Sequence, residues 1–181
     1  MPSPATMKLP VPEFRPESLL DRREDEAVRR LLWSCFPHRI GFRWRRHLGT
    51  PPDCRWLISG EGTLIAHLAL YERVLGTEAG PLRAGGIGQV CVAPLHRGRG
   101  LARQLLEAAH EYLRAGDVRF AFLFGAPELY RSAGYRVVSN PLRASNALAR
   151  RWNPFRGALL VRGLGDETWP EGVIDLNGPS F

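Results

Sequence analysis

The chain has 181 residues, 44% of them apolar, and 25 Lys and Arg stand against 18 Asp and Glu for a net charge of +7. That length suits one domain with a substantial core, and with no run of eighteen apolar residues a membrane span is not expected. The charge favours an anionic partner, but no zinc-finger, RNP-like or homeodomain pattern is present and arginine is spread along the chain, so nucleic acid is not the expected ligand.

The Pro-rich start "MPSPATMKLPVPEF" lacks the apolar h-region of a signal peptide and reads as a flexible arm over residues 1–14, leaving 15–181 as a single domain. Residues 17–34 form an amphipathic helix with Leu19, Leu20, Ala27, Val28, Leu31 and Leu32 as its apolar stripe, ended by Pro37. The cluster "HRIGFRWRRH" at 38–47 interleaves Arg39, Arg43, Arg45 and Arg46 with Phe42 and Trp44; it reads as a solvated face with the aromatics turned inward. "CRWLIS" and "TLIAHLALYERVL" are strands joined by a tight hairpin at Gly60-Glu61-Gly62, and "RAGGIGQVCVA" is a third strand whose glycines imply bulging.

A helix is predicted from about Arg99 to Ala115, burying Leu101, Leu105, Leu106, Ala109, Tyr112 and Leu113 and closing at Gly116. "VRFAFLFG" is a central strand, "APELYRSAG" a short helix and "YRVVS" a further strand. Residues 141–157 read as irregular, "GALLVRGL" as a late strand, and "TWPEGVIDLNGPSF" as the closing tail. Strands first, then strand–helix–strand–helix–strand, predict a mixed α/β sheet with helices on both faces. Cys35, Cys54 and Cys91 are odd in number, widely spaced and form no metal pattern; they read as free thiols in a reducing cytoplasm.

The start of the second helix is peculiar. "HRGRGLA" at 96–102 offers no Ser, Thr, Asp or Asn cap, and it sets His96, Arg97 and Arg99 around the positive end of the helix dipole. Gly98 and Gly100 allow close backbone approach, so an anionic ligand such as a pyrophosphate would supply the missing cap.

With the strand "GQVCV" before this loop, "FAFLF" after the helix and "LYRSAGY" beyond, residues 55–138 resemble the GNAT superfamily of acyl-CoA-dependent N-acyltransferases. Arg97, Gly100 and Ala102 match the family's Arg/Gln-x-x-Gly-x-Gly/Ala motif, with Gly98, Arg99 and Leu101 between. The resemblance implies a splayed sheet, with CoA held by residues 97–102 and its pantetheine arm pairing with Val90, Cys91 and Val92. It implies Tyr130 as general acid to the leaving thiolate, and it places Gln89 where many members carry a glutamate. His67, which by strand alternation shares a face with Ile65, Ala69, Tyr71 and Arg73, is a candidate proton relay, and Glu72 faces the other way. Cys91 as a covalent nucleophile is the less favoured mechanism.

Within the superfamily the layout is similar to aminoglycoside 2′-N-acetyltransferases, while the tail, through Trp169, Pro170, Gly172, Ile174, Asp175, Asn177, Gly178 and Pro179, resembles NodA-type acyltransferases. The implied reaction is transfer from acetyl-CoA to a primary amine, with an amino sugar as a candidate acceptor, in a monomer or homodimer without a metal. Acyl carrier protein is an alternative donor, and a CoA-binding sensor without turnover an alternative role. Asp166, Glu167, Glu171, Asp175 and the Phe181 carboxylate are candidates for an acidic acceptor pocket.

Overall fold

The computed structural model describes residues 10–144 and 158–179. Among the described residues nine strands form one sheet: β1 Glu13–Pro16, β2 Cys54–Gly60, β3 Thr63–Thr77, β4 Gly80–Val92, β5 Phe120–Gly125, β6 Arg136–Val138, β7 Leu142–Arg143, β8 Ala158–Gly163 and β9 Ile174–Asp175. The main order is β1-β2-β3-β4-β5-β8-β6, with β9 joining β3 to β7. Neighbours along that order run antiparallel except β4 and β5, which are parallel. The α-helices among the described residues flank the sheet: α1 Arg22–Cys35, α2 Leu101–Ala115 and the short α3 Pro127–Tyr130.

The two long helices cover opposite faces. In β2, Trp56 and Ile58 pack with Leu105, Leu106 and Ala109 of α2, whereas Leu57 packs with Val28, Leu31 and Leu32 of α1. Successive strand residues face opposite ways, which is what separates the two layers. Gly85 lets α2 lie close to the sheet, because a Cβ there would stand 2.5 Å from a Leu113 methyl. A third cluster closes the far end of the α1 face, where Leu75, Phe120 and Phe122 meet Trp169, Ile174 and Leu176 of the tail.

Several boundaries differ from the sequence expectation. Helix α1 begins at Arg22 and not near residue 17, because Asp21 accepts from the N–H groups of Arg23 and Glu24 while Glu24 reaches back to the Asp21 N–H. Glu17–Leu19 is a 3-10 turn instead, and Leu19 is exposed. Residues 13–16 pair with β2, so the ordered fold starts inside the expected arm; residues 1–9 lie outside the described part. On α2 the buried aromatic position is His110, not Tyr112, whose hydroxyl turns outward to donate to Glu72 at 3.0 Å. Phe42 is buried as expected in the arginine cluster, but Trp44 is exposed and stacks under Arg43. Of the irregular stretch expected at 141–157, residues 142–143 form β7, and 145–157 are not described.

Two local features shape the functional region. The hairpin turn at Glu61 and Gly62 has positive φ at both residues, as its two-residue length requires. In β4, Gln89 adopts φ 54 and the register with β3 shifts between His67 and Ala69, making a bulge. A second register shift opposite Ile58 and Ser59 turns Ile65 to the α2 face with Leu68 and Leu70, so it does not share the face of His67 as alternation alone predicts.

Candidate active site

The parallel ladder between β4 and β5 pairs Ala84 with Phe120 and ends at Ile87 with Leu123. Beyond that pair the strands continue without bonding to each other: β4 runs through the Gln89 bulge to Val92, and β5 to Gly125. The sheet therefore opens in its middle, on the side where α2 begins.

The main-chain groups lining β4 follow from one bond. The Ala93 N–H donates to Ile65 O of β3 at 2.8 Å, and in a trans peptide the preceding carbonyl points the opposite way, so Val92 O faces the opening. By alternation Val90 presents its main chain there as well, while Cys91, paired with His67, is turned to β3. Of the three residues expected to pair with a pantetheine arm, Val90 and Val92 thus face the opening with their main chains. The Val92 carbonyl already accepts from Arg97 Nε at 3.2 Å and from Cys35 Sγ at 3.5 Å.

The loop 97–102 lies directly after. Gly98 has φ 75 and Gly100, the residue preceding α2, has φ 76, left-handed values that explain both glycines. A Cβ at either would meet nothing within 4 Å, so conformation and not crowding requires them. No side chain caps α2, and among the described residues neither Arg97 nor Arg99 has a carboxylate within ion-pair distance. Free N–H groups, a positive dipole end and two guanidinium groups without a carboxylate partner among the described residues fit a diphosphate.

Across the opening, Tyr130 ends α3 and packs against the β5 end; a Cβ on Gly125 would come within 2.9 Å of its ring. Tyr135 stacks edge-on at 6.0 Å. Burial raises the Tyr130 phenol above its ordinary value, and the neighbouring Cys91 adds to this, so the group stays protonated at neutral pH. Its hydroxyl has no hydrogen-bond partner among the described residues.

On the α1 face a buried polar chain supports the bulge. Arg55, fully buried, donates to Glu17 from Nε at 2.5 Å, to His67 Nε2 at 2.8 Å and to Gln89 Oε1 at 3.2 Å. Arginine cannot accept, so His67 Nε2 is the acceptor and its Nδ1–H donates to Gln89 O at 2.9 Å. Gln89 Nε2 donates onward to Tyr71 Oη at 3.0 Å. Burial, then the Arg55 charge, pushes His67 down to about 3. Burial works to raise the Glu17 carboxyl, but the bonds from Arg55 and Arg46 outweigh it and hold Glu17 below the ordinary glutamate value. Arg55 and Glu17 were not among the residues singled out from sequence. An arginine inside an otherwise apolar strand, "CRWLIS", was the available signal, since such a charge requires a buried partner.

The tail acids do not gather at the opening. Glu167 lies 3.4 Å from Arg119, just before the β5 end opposite the opening, and Asp175 pairs with Gly76 far along β3. Glu167 and Asp175 thus do not contribute to an acidic pocket at the opening, and Phe181 lies outside the described part. Among the described residues no three His, Cys, Asp or Glu side chains gather as metal ligands, and no helix is long and apolar enough to cross a membrane.

A mixed sheet that parts between two parallel strands beside an uncapped helix is an acetyltransferase frame. The acetyltransferase (GNAT) domain family matches residues 20–138, well over half of the chain, and the chain belongs to that family. It is 28% identical over 143 residues to the aminoglycoside 2′-N-acetyltransferase of Mycolicibacterium fortuitum, a match covering 78% of this chain and 64% of that protein, so it spans less than two thirds of that relative's length. The fold is similar to that of the Escherichia coli GNAT family N-acetyltransferase YhbS in complex with CoA, with a TM-score of 0.66 at 17% identity over 95% of this chain and 93% of the other. It is also similar to a GNAT family acetyltransferase from Brucella melitensis in complex with acetyl-CoA, with a TM-score of 0.60 at 17% identity over 90% and 94% of the two chains.

Proposed function

We propose that the protein transfers an acetyl group from acetyl-CoA to a primary amine by direct attack in a ternary complex. The observation that carries this reading is the continuity of the opened β4 margin with the uncapped α2 N-terminus. A cofactor with a diphosphate at one end and an amide-bearing arm would find N–H groups and guanidinium groups at Arg97–Ala102, then strand-like partners at Val90 and Val92. When bound, acetyl-CoA supplies the thioester.

Tyr130 is the general acid in this proposal: its hydroxyl, unengaged among the described residues, gives its proton to the departing thiolate sulfur. His67 does not serve as relay. Its acceptor lone pair is held by Arg55, and taking a proton would set a second cation against that guanidinium. Gln89 carries no proton-accepting carboxylate, and its amide is engaged at both ends. Both act by fixing the bulge that parts β4 from β5, and the amine gives its proton to water. Similarity to the M. fortuitum relative favours an aminoglycoside or other amino sugar as acceptor.

Calorimetric titration with CoA and a thiol-release assay with acetyl-CoA over a panel of amines test this. Micromolar binding with amine-dependent release is expected. Binding without release would replace the enzyme by a CoA sensor, a reading that the glutamine at position 89 favours; no binding at millimolar CoA would overturn both.

A further inference from the structure

One cluster has no part in that chemistry. Cys35 ends α1 half-buried, against the core layer that contains Cys91. Cys35 packs against the same buried cluster as Cys91, and the carbonyl that its sulfur reaches belongs to the residue next to Cys91. Cys35 Sγ donates to Val92 O at 3.5 Å, the carbonyl that Arg97 holds from the other side at 3.2 Å, and Ser34 Oγ stands 3.8 Å away. Two thiols, a hydroxyl and a guanidinium thus meet where α1 ends on β4. Cys54 provides a contrast within the same chain: it is buried on the α2 face, separated from the other two by the sheet.

We propose that Cys35 and Cys91 form an oxidation-sensitive dithiol, a modification site at which a hydroperoxide converts the pair to a disulfide. The inference does not depend on the acetyltransferase reading. Cys35 is the attacking group: contact with Cys91 works against burial and, with Ser34 and the Arg97 charge, brings its thiol down to about 6, so it gives up the proton it shares with the Val92 carbonyl more readily than an ordinary thiol. Cys91 is pushed well up by that same contact and by burial, and it waits as a thiol.

The Cys35 sulfur attacks one peroxide oxygen, the O–O bond breaks, and the other oxygen leaves with a proton as water or alcohol. Cys35 is then a sulfenic acid. Cys91 attacks that sulfur, the S–O bond breaks, and the departing hydroxide carries off the Cys91 proton as water. Two electrons pass from the two sulfurs to the peroxide. The product has no S–H to donate, so the Val92 carbonyl keeps Arg97 alone, and the end of α1 is covalently fixed to the strand that borders the opening.

The test treats the folded full-length chain with a small excess of hydrogen peroxide near neutral pH, then alkylates it under denaturing conditions and maps the peptides. The expected result is loss of two of the three thiols, a linked Cys35–Cys91 peptide, an alkylated Cys54, and full reversal by dithiothreitol. Cys35→Ser should abolish the link and slow thiol loss at least tenfold, while Cys91→Ala should leave Cys35 as a sulfenic acid trapped by dimedone. Similar oxidation rates at all three cysteines, sulfinic acid at Cys35 without the link, or a link that forms only in denaturant would each overturn the proposal.

Discussion

His67 Nδ1 lies 2.9 Å from the main-chain oxygen of Gln89, so the ring of one strand holds the bulge of the next. A side chain that fixes a backbone kink while its other nitrogen accepts from Arg55 is a positioning group. The pH–rate profile of His67→Gln should therefore show the same apparent pKa values as the parent, with lower kcat from a loosened bulge. A lost inflection near neutral pH would restore the histidine as relay.

Two buried histidines set an acid sensitivity. His67 and His110 are both brought down to about 3, burial being the main cause and Arg55 or Arg162 the second. Between the ordinary histidine value and that one, the unfolded chain holds protons that the folded chain lacks. Stability should thus fall as pH drops from about 6.5 toward 3, by about 1.4 kcal/mol per pH unit for each histidine. Glu17 and Asp25, both held below their ordinary values, add loss of the same sign at lower pH. Urea titrations across this range should give a shallower slope for His110→Gln than for the parent.

Tyr130→Phe removes an oxygen without a partner among the described residues and keeps the ring packed against Gly125 and Tyr135. Turnover should drop by about a hundredfold or more, with CoA affinity and Tm close to those of the parent. Undiminished turnover would remove the general-acid role.

Gly98→Ala and Gly100→Ala each place a Cβ on a left-handed residue with open space around it. Each should cost about 1–2 kcal/mol of stability, and CoA titration should show weakened binding, since relaxation of the loop turns its N–H groups away.

Glu17 is the only carboxylate bonded to the fully buried Arg55 among the described residues. Glu17→Ala should cost about 3–5 kcal/mol in denaturant unfolding, because it strands a buried charge. A double variant with Arg55→Met should recover part of that loss.

The frame was legible because its signals are periodic or punctuating: alternating apolar residues gave β2 and β3, the 3.6-residue stripe gave α2, and Gly62 marked the hairpin. The uncapped start of α2 was legible through what it lacked, a capping side chain ahead of Leu101. Other parts were carried by contacts between distant segments. Glu17 meets Arg55 only after β1 folds onto β2, so neither residue announces the pair locally. The bulge at Gln89 is a register shift against β3, invisible to alternation within β4. The burial of His110 in place of Tyr112 was not legible, because it depends on Tyr135, distant in sequence, which offers the histidine a hydroxyl at 2.7 Å.

A sheet that parts in its middle carries an unpaired strand margin, the kind of surface on which foreign strands add and aggregates begin. Here the left-handed kink at Gln89 interrupts any straight template, and the terminal carbonyl of β4 is already occupied by Arg97 and Cys35. Kink and occupied carbonyl together leave a neighbouring polypeptide only a broken template along this margin, the kind of interruption that works against edge-to-edge pairing.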